Sequence, residues 1–188
     1  MSCITDDEEL ISVLEQVRQG DVQSYTHVIR RYQKRIYLYC YYLLQSREEA
    51  EDAAQDIFIK ALENIQRYSY YSSFSAWLYR IARNHCTDLI KQKKKSFQFL
   101  NQYKKVNEDR HNPGYTEIIH DLLDNLNAEE KQILLLRSLE DYNYDEIASI
   151  MDLKPVTVRK RYERIRKKLI QYKKKEGAKL YEQQTLGG

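Results

Sequence analysis

The sequence has little of what tight turns require: 5 glycines and 2 prolines in 188 residues. A β-sandwich or a doubly wound α/β fold turns too often to be built from so few, which leaves helices. Cysteine is also scarce. Cys3, Cys40 and Cys86 are too few and too scattered for a disulfide framework or a zinc knuckle, so they read as ordinary thiols of a reducing compartment. His85 and Cys86 are adjacent, but neighbouring helix positions point about 100° apart and do not readily share a metal. No apolar run approaches the roughly 18 residues of a membrane span. The acidic opening MSCITDDEEL lacks a signal-peptide pattern, so the expectation is a cytoplasmic protein with no direct membrane insertion. Nor is there a glycine-rich phosphate loop, a nucleophile–base pair or a metal-ligand cluster. No enzyme activity, cofactor or metal is expected.

Charge is what the chain has in quantity. Charged residues make up 31% of it and the mean hydropathy is −0.76, so its cores must be small. The net charge is only +3, but its distribution is uneven. Lys154 to Lys175 holds eleven basic residues and one acid, Glu163, whereas Arg47 to Glu63 holds six acids and two bases. Such segregation suggests two differently charged partners. Residues 7–95 read as a run of helices and 96–115, ending in Pro113-Gly114, as a flexible linker. A second helical block follows over 116–175, with 176–188 as a frayed tail. The fold class expected is all-α, two small helical domains on a tether.

Three helices carry the functional signal. In Ala50–Ile65, helical spacing gathers Ala50, Ala53, Ala54, Ile57, Ala61 and Ile65 on a core side. The far side carries Glu48, Asp52, Gln55, Asp56 and Glu63, with Ile59 among them. Burying that isoleucine in a partner would contribute about 1.5–3 kcal/mol, and the acids would steer a basic partner; alternatively it is a solitary surface residue.

In Ser75–Lys95, Phe74, Leu78, Ile81, Ala82, His85 and Leu89 form the expected inward stripe, making His85 a core histidine. The outward face collects Trp77, Arg80, Arg83, Asn84, Thr87, Lys91, Lys94 and Lys95, which suits a surface that holds phosphates while a ring touches bases. The preceding loop, Gln66–Ser73, offers Tyr68, Tyr70 and Tyr71, rings that can stack unpaired bases at about 1–3 kcal/mol each or pack the loop onto its own domain.

The third signal is a helix-turn-helix. Asn127-Ala-Glu-Glu130 and Asn143-Tyr-Asp-Glu146 are both capping-box patterns ahead of apolar runs. After the turn Asp152-Leu153-Lys154, Pro155 opens a helix where a missing N–H costs nothing. That helix should bury Val158, Tyr162, Ile165 and Leu169. It should expose Val156, Lys160, Glu163, Arg164, Lys167 and Gln171, with Arg159 on the flank. A basic second helix after a short turn is the layout that enters the DNA major groove.

Taken in order, Ala50–Phe58 (AEDAAQDIF), Ser73–Asn84 (SFSAWLYRIARN), Tyr144–Ala148 (YDEIA) and Thr157-Val158-Arg159 resemble the extracytoplasmic-function sigma factors, the smallest members of the main bacterial sigma family. The resemblance covers nearly the whole chain. It implies a region 2-like helical bundle and a region 4-like helix-turn-helix. It also implies docking of Asp52, Gln55, Asp56 and Ile59 on the β′ coiled coil of core RNA polymerase, and contact of the second domain with the β flap. The tyrosine loop, with Asn84, would capture a melted −10 base, assisted by Trp77, Arg80 and Lys91. Thr157, Arg159, Lys160, Glu163, Arg164 and Lys167 would meet the duplex −35 element. The pattern departs from the family's where Val156 replaces the usual glycine and Lys160 a small serine or threonine. The resemblance also implies an anti-sigma partner and promoters of stress or envelope genes. The alternative from the residues alone is a stand-alone helix-turn-helix regulator that uses its acidic helix to dimerise.

Overall fold

The computed structural model describes residues 8–69, 73–100 and 122–185, with side chains described through 95 in the second stretch and through 174 in the third. Its regular elements are all helical. The chain separates into two compact units.

The first unit holds α1 (Glu8–Arg18), α2 (Tyr25–Leu44), α3 (Arg47–Glu63) and α4 (Phe74–Leu100). A short 3₁₀ turn, Val22–Ser24, leads into α2 and another, Ile65–Arg67, follows α3. The turn from α2 to α3 needs no glycine, because Gln45 takes the left-handed conformation (φ 57°) and its N–H donates to the Tyr41 carbonyl at 2.8 Å. Ser46 then caps α3, its hydroxyl accepting from the Glu49 N–H. Ala50, Ala53, Ala54 and Ala61 are all buried on α3. Small side chains at such a contact let neighbouring helix axes approach closely. Tyr25, buried on α2, donates its hydroxyl to the Phe58 carbonyl of α3 at 2.9 Å, and burial pushes its phenol well above the ordinary range.

Two contacts fix the direction of α4 against α3. Lys93 pairs with Glu49 at 2.5 Å and Lys60 meets His85, so rising numbers on one helix match falling numbers on the other and the two run antiparallel. An aromatic cluster closes the bundle. Tyr32 and Tyr68 lie 5.8 and 5.4 Å from Phe74, and Tyr39 meets Tyr79 edge-on at 5.3 Å. Arg18 donates to the Gln66 carbonyl while Gln66 donates to the Arg18 carbonyl, tying the end of α1 to the turn after α3.

The second unit holds α5 (Ala128–Ser138), α6 (Tyr144–Met151) and α7 (Pro155–Thr185). Both expected capping boxes form. Asn127 accepts from the Glu130 N–H at 2.9 Å and Glu130 reaches back at 3.0 Å; the Asn143–Glu146 pair does the same at 3.0 and 2.8 Å. The turn from α6 to α7 is closed by Asp152 at φ 55° and by the Leu153 N–H donating to the Ala148 carbonyl at 2.9 Å. This is the left-handed helix cap that glycine usually supplies, adopted by a residue type that tolerates it. Ile133, Leu136, Ile147, Val158 and Ile165 form the fully buried core.

Three expectations about extent and facing are corrected. The helix expected to end at 95 continues to Leu100, into the stretch taken for linker, and the helix expected to end at 175 continues to Thr185. The remaining linker positions, 101–115, lie outside the described residues. On α4, Phe74, Leu78 and Ala82 are buried as expected and the His85 side chain nearly so, but Tyr79 and Cys86 are also fully buried while Ile81 and Leu89 are only half-buried. Spacing alone could not fix that facing, since Tyr79 and Cys86 look as suited to a surface as to a core. Among the described residues no helix is long and apolar enough to cross a membrane.

Candidate partner and nucleic-acid interfaces

α3 presents the acidic face as expected. Its core stripe is buried, and Asp52, Gln55 and Asp56 are exposed on the far side with Glu48 and Glu63. Ile59, between them, is 55% exposed. The helix geometry brings Gln55, Asp56, Ile59 and Glu63 together as i, i+4 and i, i+3 neighbours. Two acids and an amide around an exposed apolar side chain are therefore a formed surface rather than a sequence coincidence.

On α4 the outcome is mixed. Arg80, Asn84 and Lys91 are exposed, so the basic, amide-bearing face exists. Tyr68 does not project. It is 2% exposed, packed edge-on against Phe74 and 5.4 Å from the Trp77 ring, because the 3₁₀ turn after α3 directs it into the bundle. Trp77 is half-buried in the same cluster, 5.4 Å from Phe74, rather than standing free among the basic residues. The packing alternative is the correct one for Tyr68 and for much of the Trp77 ring. Tyr70 and Tyr71 lie outside the described residues.

His85 is the residue whose surroundings the sequence did not disclose. Its side chain is 9% exposed and sits beneath the acidic face of α3. Nδ1 lies 2.5 Å from the Lys60 ammonium, and Nε2 lies 3.5 Å from the Asp56 carboxylate, at ion-pair range without hydrogen-bond geometry. Burial and then Lys60 push its pKa below the ordinary value, against the opposing pull of Asp56 and Asp88. The imidazole is held neutral, with Nδ1 accepting from Lys60. Cys40 and Cys86, placed apart by the sequence, meet in the core with sulfurs 3.7 Å apart. Their mutual hydrogen bond and burial push the Cys40 thiol up, so it stays protonated.

On α7 the exposed strip is complete. Val156 is 63% exposed, and Arg159, Lys160, Glu163, Arg164 and Lys167 are all exposed beyond it, with Thr157 half-buried at the first turn. Two bases of the same helix point the other way. Arg161 pairs with Glu129, and Lys168 spans both oxygens of Glu130 at 2.6 and 2.9 Å. Burial alone would push the Glu130 carboxyl up, but Lys168 and the Asn127 N–H outweigh it and hold it below the ordinary range. Arg159 lies over the Tyr144 ring, 5.5 Å from its centroid, with Arg137 at the same distance. That contact restrains a long side chain at the edge of the strip. The capping pattern placed Tyr144 at a helix start, but gave no sign of this second role.

A helical bundle with an acidic partner face, followed by a capped helix-turn-helix with an exposed basic strip, is the build of a two-module DNA-binding protein that works with a larger partner. The Sigma-70 region 2 family matches residues 28–96 and the Sigma-70, region 4 family matches residues 116–169. The ECF RNA polymerase sigma factor SigW of Bacillus subtilis (strain 168) is 28% identical over 172 residues, covering 83% of this chain and 92% of that protein. The ECF RNA polymerase sigma-E factor of Haemophilus influenzae is 31% identical over 172 residues, covering 82% and 90%. The sigma factor RpoE from Bartonella quintana, solved in complex with the anti-sigma factor NepR, superimposes with a TM-score of 0.70 at 19% identity, over 81% of this chain and 98% of that one. The chain belongs to the ECF RNA polymerase sigma factors of the sigma-70 family, with regions 2 and 4. It is a transcription-initiation factor that binds core RNA polymerase and promoter DNA, in a family that is not enzymatic.

Proposed function

We propose that this sigma factor docks on core polymerase through α3, with Ile59 as the apolar anchor and Asp52, Gln55 and Asp56 around it. The carrying observation is the exposure of Ile59 beside Gln55, Asp56 and Glu63 on the acidic face. Desolvating that side chain supplies affinity, and the acids supply orientation toward a basic site, here the β′ coiled coil. The second domain contributes a contact to the β flap through its apolar side.

On DNA, α7 enters the major groove of the −35 element, with Thr157, Arg159, Lys160, Glu163, Arg164 and Lys167 on the groove-facing strip. Lys160 and Arg164 favour guanine, whose major-groove edge offers two acceptors. At −10, Asn84 reads a melted base while Arg80 and Lys91 hold the strand by its phosphates. Tyr68 and Trp77 shape the floor beneath, and Tyr70 and Tyr71 of the loop supply the stacking rings. Opening the duplex costs stacking energy, which these contacts offset in part. The target promoters are those of stress or envelope genes, and an anti-sigma factor holds the protein inactive, as the family resemblance implies.

The test is run-off transcription with purified core enzyme. Ile59→Asp and Asp56→Arg proteins that melt like the parent should lose promoter-dependent transcripts. Normal transcription from both would remove the docking role from α3.

A further inference from the structure

Asp56 and Lys60 are four residues apart on one exposed helix face, the spacing at which an aspartate and a lysine ordinarily pair. They do not pair with each other here. The His85 imidazole, rising from α4, stands between them, with Nδ1 at 2.5 Å from the ammonium and Nε2 at 3.5 Å from the carboxylate. We propose that His85 is a positioning residue of the polymerase-docking face: it captures Lys60 as a hydrogen-bond donor and so keeps Asp56 open for core polymerase.

The inference rests on the docking role proposed for α3. A lysine at the rim of an acidic face is a liability, because it neutralises the neighbour that a basic partner should meet. A neutral imidazole resolves the conflict, since it accepts from the ammonium without adding charge. The neighbouring charges that act on the ring are Lys60 and Asp56 from α3 and Asp88 from its own helix. With Nδ1 used as acceptor, the ring proton is on Nε2, which lies 3.5 Å from Asp56 without hydrogen-bond geometry, so the carboxylate stays uncommitted. A purely structural histidine would need neither neighbour.

The experiment measures the affinity of fluorescently labelled full-length protein for core polymerase, with thermal unfolding to confirm that each variant folds. His85→Leu keeps the volume but releases Lys60, which then pairs with Asp56. Binding should weaken by about two- to fivefold, the scale of one exposed ion pair. His85→Asn, which retains an acceptor near the Nδ1 position, should bind like the parent. Lys60→Met should also bind like the parent, and the Lys60→Met/His85→Leu double variant should recover what His85→Leu lost. A double variant as weak as His85→Leu, or a His85→Leu protein that binds normally, overturns the proposal. Asp56→Arg is run alongside. Its normal binding would sink the docking role, whereas its loss together with unchanged binding by His85→Leu would sink only the spacer. Independently, histidine ring nitrogen NMR should show the Nε2–H tautomer of His85, and Lys60→Met should raise the pH at which the ring titrates; an Nδ1–H tautomer would also overturn the proposal.

Discussion

Tyr68 and Asn84, both expected from the sequence to serve the −10 strand, sit in opposite surroundings. Tyr68 is inside the Phe74–Trp77 cluster, and removing its ring leaves a cavity that the surrounding helices only partly close. Tyr68→Ala should lower unfolding free energy by about 3–5 kcal/mol, measured by chemical denaturation. Asn84 is exposed at the outer edge of α4. Asn84→Ala should change stability by no more than about 0.5 kcal/mol while reducing promoter opening, read by permanganate footprinting. A stable Tyr68→Ala protein would show that the ring contributes nothing to the core. Sequence alone did not separate these two residues, because tyrosine is amphipathic and its face is decided by the chain direction after α3.

At the level of the element, α7 uses its bases for two purposes. Arg161 and Lys168 attach it to Glu129 and Glu130 at the start of α5, while Lys160, Arg164 and Lys167 remain on the exposed strip. Composition sees only a basic run; the phase of the helix relative to α5 sorts it. Lys160→Ala should cost about 1–3 kcal/mol in discrimination at one base pair of the −35 element, leaving discrimination at the other positions unchanged. The measurement is transcription from a set of singly substituted promoters, and uniform weakening across the set would make Lys160 a phosphate contact instead. α3 was the most legible element. Its alanine stripe and acidic face both follow from 3.6-residue periodicity, and each core position named from spacing is buried. The inward side of α4 was less legible, because tyrosine, serine and cysteine fill positions that a hydropathy pattern scores as neutral.

For the whole molecule, the separation of charge between α3 and α7 matters more than the net value of +3. If, as proposed, the acidic face meets the polymerase and the basic strip meets DNA, the protein should hold promoters weakly until the enzyme is present. In gel shifts at physiological salt, the protein alone should fail to retain duplex promoter that it retains together with core polymerase. Tight binding without core would favour the stand-alone regulator.

The sequence by itself determined that the protein is helical, that it has two modules, and where its capped helices begin. It also determined which faces of α3 and α7 are charged, since these properties follow from local periodicity and from hydrogen bonds between near neighbours. Only the tertiary structure decided that Tyr68 is interior, that Cys40 meets Cys86, and that His85 stands between Asp56 and Lys60. The first depends on the path of the chain after α3, and the other two on how α4 is rotated against α2 and α3, which is set by contacts between residues dozens of positions apart, for which helical spacing carries no signal.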